Sequence, residues 1–214
     1  MERKELYHIA EDAVNESELA GGDIPTIDLY VDQISNLIDE KLTHGSPRFQ
    51  ERHLTKTMIN NYSKDGLIAP IKGKKYNKEQ IVQMLTVYTL KNTLSISEIK
   101  RLLDGAYAID GFDGEALTQL YDRHLSIKEV NRTYALTALD GIMERNELNM
   151  EEDSDYITAI CALTSLSAQL KNIAQAMIDA RFPEETVEEK PQDVKEKKAK
   201  RKKKNQVISS KESV

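Results

Sequence analysis

With 214 residues, 39% of them hydrophobic, the chain holds enough apolar material for one large domain or two small ones. Its single cysteine excludes an internal disulfide, no apolar run approaches a membrane span, and the opening Met1-Glu2-Arg3-Lys4-Glu5 lacks a signal-peptide core, so a cytoplasmic protein is expected. The net charge of −6 argues against nucleic acid only until it is located: acids gather in 1–23 and 106–189, whereas 54–91 carries seven lysines against two acids.

Residues 1–23 end in Gly21-Gly22-Asp23, a break that leaves a short frayed helix or no fixed structure before it. Over 28–42, Leu29, Ile34, Leu37, Ile38 and Leu42 recur at helical spacing and predict an amphipathic helix. Gly45, Ser46 and Pro47 make 43–53 a loop. Thr55 caps a predicted helix over 56–64, and Gly66 stops it. Leu67-Ile68 and Lys75-Tyr76 read as two short strands, with Lys72-Gly73-Lys74 at the tip of the turn between them.

Asn77 with Gln80, and Ser95 with Glu98, are capping boxes. The first opens a helix carrying Ile81, Met84, Leu85, Tyr88 and Leu90; the second opens one through Ile99, Leu102 and Leu103 that Gly105 ends. A short helix over 114–124 follows, then a third capping box, Ser126 with Glu129, opening a helix to about 146. Asp153 or Ser154 caps a final helix to about 181, and Pro183 marks its end. Beyond it the chain turns Glu-rich, then Lys-rich, and is expected to be disordered.

The helix over 56–64 divides into two faces. Leu54, Met58, Ile59 and Tyr62 can pack inward, while Lys56, Thr57, Asn60, Asn61 and Lys64 share the other side. Lysines neutralise phosphates and release counterions. Asn can bond adenine N6 and N7 together in the major groove, and Thr57 can touch a phosphate or a thymine methyl. Any solvated helix face is polar, so the face alone decides little. A basic hairpin next to it, with Lys72, Lys74 and Lys75 around Gly73, adds specificity because it can reach neighbouring phosphates.

The run Met58-Ile59-Asn60-Asn61-Tyr62-Ser63-Lys64-Asp65-Gly66-Leu67-Ile68-Ala69-Pro70 resembles the helix-to-wing signature of MerR-type regulators. Lys75-Tyr76-Asn77-Lys78-Glu79-Gln80-Ile81 looks like their wing exit and third helix, and Leu94-Ser95-Ile96-Ser97-Glu98-Ile99 like their fourth. Ile24-Pro25-Thr26-Ile27-Asp28-Leu29-Tyr30, with Leu54-Thr55-Lys56-Thr57-Met58, resembles more closely the bacterial family called domain of unknown function 1836. The resemblance implies a mainly α protein with a MerR-like winged helix-turn-helix over 24–105 and a small two-stranded wing. A helical domain over 106–182 would serve dimerisation, partner docking or effector sensing. It also implies double-stranded DNA as partner, with Tyr76 joining the lysines, Thr57 and the two asparagines in the interface. MerR-type proteins carry an Arg and an aromatic where this chain has Asn60 and Asn61, so the backbone clamp differs.

In the last helix Ile160, Leu163, Ser167, Leu170, Ala174 and Met177 follow an a/d alternation, which suits either a homodimer seam or packing within a helical domain. Cys161, among Ile157, Ile160, Ala162 and Leu163, reads as a core thiol. His8, His44, His53 and His124 lack metal-ligand spacing, and no phosphate-binding glycine loop or nucleophile motif occurs. No enzyme and no cofactor are expected. The polybasic run over 197–204 suits non-specific DNA affinity, contact with RNA or an anionic membrane, or plain solubility. The expected function is sequence-specific DNA binding in bacterial transcriptional regulation; the alternative is a non-enzymatic protein-interaction adaptor on the same fold.

Overall fold

Local chemistry sets most element boundaries in the structure, a computed structural model that describes residues 1–41, 43–44, 54–71 and 73–184. Among these residues the chain is mainly helical, with α1 (Arg3–Val14), α2 (Val31–Lys41), α3 (Lys56–Lys64), α4 (Lys78–Leu90), α5 (Ile96–Tyr107), α6 (Gly114–Arg145) and α7 (Asp153–Arg181). Two-residue strands form two antiparallel pairs: β1 (Glu16–Ser17) with β3 (Thr43–His44), and β2 (Leu29–Tyr30) with β4 (Lys75–Tyr76). Two of the three expected capping boxes form: Asn77 accepts from Gln80 N at 2.9 Å and Ser95 from Glu98 N at 3.3 Å, each with the reciprocal bond.

Residues Met1–Phe182 make one compact unit with two apolar cores. The larger joins α2 to α5 with Leu117 and Tyr121 of α6 and Ile178 of α7. At its centre lies α4, buried at every position from Gln80 to Tyr88, so no face is left to water. The smaller core, Leu6, Leu139, Met143, Met150 and Ala159, seats α1 on the α6–α7 hairpin. The ends of α6 and α7 thus belong to different cores, and the helices tie the two together.

Several expectations are corrected. The acidic N-terminal stretch carries the twelve-residue helix α1, held by Leu6 in the smaller core. Thr43 and His44 pair as β3 with β1. Leu67 and Ile68 form no strand; β4 pairs with Leu29–Tyr30 instead. Pro70 has no N–H to donate, and the polar backbone groups of Ala69 are taken by glutamine side chains of α4. Gly105 does not end its helix, which runs on to Tyr107; its missing side chain lets Phe182 approach, since a Cβ there would sit 2.3 Å from the ring. The two helices expected on either side of Ser126 are one 32-residue helix, and Ser126 Oγ donates to Asp122 O within it. At the start of α7 the capping position belongs to Glu152, without a side-chain bond. Cys161 is exposed.

Candidate nucleic-acid interface

The helix α3 is fixed at both ends. Thr55 Oγ1 accepts from Met58 N at 3.3 Å. At the other end Leu67 N donates to Tyr62 O and Gly66 N to Ser63 O, with Gly66 at φ +71°. This Schellman closure needs a left-handed residue, which is why glycine stands there. Ile59 and Tyr62 are buried and Met58 half-buried, which fixes the rotation of the helix.

That rotation leaves Lys56, Thr57, Asn60, Asn61 and Lys64 all exposed, as a single outward face. The first turn contains no acid, so nothing on it opposes an anion at the positive end of the helix dipole. Lys91, beyond the predicted set, lies beside α3's inner flank: its Nζ is 3.7 Å from Met58 Sδ and stands over the Tyr88 ring. Tyr62 keeps its hydroxyl buried without a hydrogen-bond partner, and burial, helped by Tyr88, pushes its pKa up to about 12.

On β4 the side chains alternate as strand geometry requires. Lys74 and Lys75 are exposed, and Lys75 Nζ stands 5.0 Å from the centre of the Tyr30 ring on β2. Tyr76 is 3% exposed and belongs to the larger core, which removes it from the predicted interface. Lys72 lies outside the described residues. Tyr30, 48% exposed and stacked by Lys75, was missed by sequence reasoning.

The segment leading to this turn is held by α4 and α5. Gln83 accepts from Ala69 N at 2.8 Å and donates to Tyr107 OH at 2.7 Å. Tyr107 OH donates to Glu79 at 2.6 Å, and Gln80 donates to Ala69 O and Pro70 O. Burial and the bond to Glu79 raise the Tyr107 pKa. Lys100 Nζ donates to Gly66 O at 3.3 Å and pairs with Asp104, tying α5 to the end of α3. Ala69 and Pro70, which precede the basic turn, are therefore anchored to α4.

Other chemistry is sparse among the described residues. No group of three or more His, Cys, Asp or Glu residues could hold a metal. His8 faces Asp12 within α1, and His124 is half-buried on α6 with Nε2 unpartnered. Among the described residues no helix is long and apolar enough to cross a membrane. The polybasic run over 197–204 lies outside the described residues, so its expected disorder and nucleic-acid contact have no structural counterpart here.

Residues 20–124 match the family described as Domain of unknown function (DUF1836). The match runs past Gly105 into α6, as far as the part of that helix that supplies Leu117 and Tyr121 to the larger core. No curated protein and no solved structure gives a match.

Proposed function

We propose that this DUF1836 segment binds double-stranded DNA sequence-specifically, as a MerR-like winged helix-turn-helix, and that the protein is a bacterial transcriptional regulator. One observation carries the reading: Lys56, Thr57, Asn60, Asn61 and Lys64 are exposed together on α3 while its other face is locked into the core. In this arrangement Asn60 and Asn61 supply paired donors and acceptors for adenine edges. Lys56 and Lys64, near opposite ends of the helix, and Lys74 in the turn and Lys75 on β4 meet phosphates, which position the protein without reading sequence. The sheet that bears Lys75 is β2 with β4, so Tyr30 joins the surface through its stacking on Lys75. No catalytic step is assigned to the protein.

Selection from a pool of random duplexes at low salt tests this. The full chain is expected to enrich a defined sequence, with log K falling linearly as log salt rises. Retention of no duplex at about 50 mM salt, where phosphate contacts are strongest, would refute the DNA reading and leave the α3 face to a protein partner.

A further inference from the structure

Beyond the smaller core a groove of about 680 Å³ lies between α6 and α7. Its walls include Tyr134 and Ala138 of α6 and Leu163, Ser167, Leu170 and Ala174 of α7. Four of the six a/d residues predicted for the last helix therefore line it. The same stripe overshoots the groove at both ends, with Ile160 51% and Met177 67% exposed, and Leu170 between them is 59% exposed. Between 158 and 178 the only charge on α7 is Lys171. A solvated helix face does not look like this.

We infer that this stripe is the interface with a second copy of the chain, its α7 packed antiparallel across a two-fold axis beside residues 168 and 169. The spacing 160, 163, 167, 170, 174, 177 reads the same from either end. An antiparallel copy about that axis brings Ile160 opposite Met177, Leu163 opposite Ala174, and Leu170 opposite Ser167. Each inner pair sets a leucine against a small residue, the knob-and-hole match that a self-complementary, isologous surface requires.

Charge favours the same direction. The first turn of α7 carries Asp153 and Asp155; the last carries Arg181, together with Asp179, whose charge is met by Arg101 of the same chain. Antiparallel packing brings Arg181 near the partner's acidic first turn, whereas parallel packing sets like charges side by side. On the α6 wall Ile127 and Tyr134, seven residues apart, are 51% and 67% exposed and extend the apolar surface. Exposed apolar side chains of roughly 100 Å² each bring the patch to on the order of 500–600 Å² per copy, approaching the ~800 Å² one partner contributes to a standard interface. A small molecule in the groove would leave Ile160 and Met177 in water; a helix covers them.

Sedimentation equilibrium of the full chain tests the interface. The expected mass is twice the 24.3 kDa chain mass. Leu170→Asp is expected to weaken dimerisation roughly a hundredfold or more, because each dimer loses two leucine burials, with the helical circular dichroism unchanged. In a Cys161→Ser background, Ser167→Cys beside the axis is expected to form a disulfide-linked dimer under mild oxidation, and Ser165→Cys on the opposite face is not. A monomer at about 100 μM, well above the Kd of a specific dimer, would overturn the inference. So would a dimer indifferent to Leu170→Asp, or one in which Ser165→Cys links as readily as Ser167→Cys. Neither readout uses DNA, so the dimer and the DNA reading fail separately.

Discussion

Replacing Gln83 with leucine isolates what anchors the segment leading to the basic turn. The side chain is buried, accepts from Ala69 N and donates to Tyr107 OH. Gln83→Leu removes both bonds at about 1 kcal/mol each and leaves a partly buried Ala69 N–H without its acceptor, about 1 kcal/mol more. Leucine returns roughly 1 kcal/mol through apolar burial, so the net loss is about 1–3 kcal/mol. For a chain of this size that lowers Tm by about 2–4 °C per kcal/mol. Tyr107→Phe breaks the same chain one link further on, leaving Glu79 without its donor. The two losses should therefore overlap by about 0.5 kcal/mol or more in a double-mutant cycle read by urea denaturation. Hydrogen exchange at Ala69 N–H should quicken in Gln83→Leu. A stability change below about 0.5 kcal/mol, or strict additivity with Tyr107→Phe, would refute the idea that this network holds the segment.

Lys128 bonds Glu16 at 2.6 Å and Glu18 at 2.7 Å, joining the N-terminal segment to α6. Burial lowers its pKa, but the bonds to the two glutamates outweigh that and hold it above the ordinary 10.5. Its contribution is then present below pH 10.5 and lost as pH rises through the raised value. Lys128→Met should cost about 1–3 kcal/mol by equilibrium denaturation, because two partly buried carboxylates lose their cation; a neutral result would contradict the pairing. Tyr62→Phe should be neutral or stabilise by up to about 1 kcal/mol, since the hydroxyl has no partner to lose. With its pKa raised from 10.0 to about 12, wild-type stability should fall with rising pH across that window, and the slope should shrink in Tyr62→Phe; spectrophotometric titration of the tyrosines checks the value. Truncation after Phe182 should flatten the salt dependence of DNA binding and leave the preferred sequence unchanged, because lysines on phosphates carry no base information.

The parts of the fold that the sequence made legible are those decided within one helical turn. Thr55, Asn77 and Ser95 each cap a helix because a side-chain oxygen reaches an amide three residues away, and that chemistry is written in the local run. The outward face of α3 followed from helical periodicity in the same way. Features set by distant partners were not legible. β4 pairs with β2, some 45 residues upstream, and only that pairing sends Tyr76 inward and sets Lys75 over Tyr30. The pattern Ser126 with Glu129 looks like a cap but also fits a helix interior, where the hydroxyl bonds the carbonyl four residues back. Gly105 stands where a helix stop is expected, yet its small size serves to admit Phe182, 77 residues away. Cys161 has apolar neighbours in sequence, but the one a helical turn before it, Ile157, is itself 59% exposed, and only tertiary packing decides that this side of α7 faces water.

DNA binding by the α3 face is tested most directly by measuring Asn61→Ala and Lys74→Ala on one selected duplex and on random duplex across a salt series. Both residues are exposed and outside the apolar cores, so both variants should keep the wild-type helical spectrum. Asn61→Ala is predicted to cost about 1–3 kcal/mol on the selected site and much less on random DNA. Lys74→Ala is predicted to weaken both by similar factors and to reduce the salt slope by about one. Wild-type affinity in both folded variants, on both duplexes, would contradict the account.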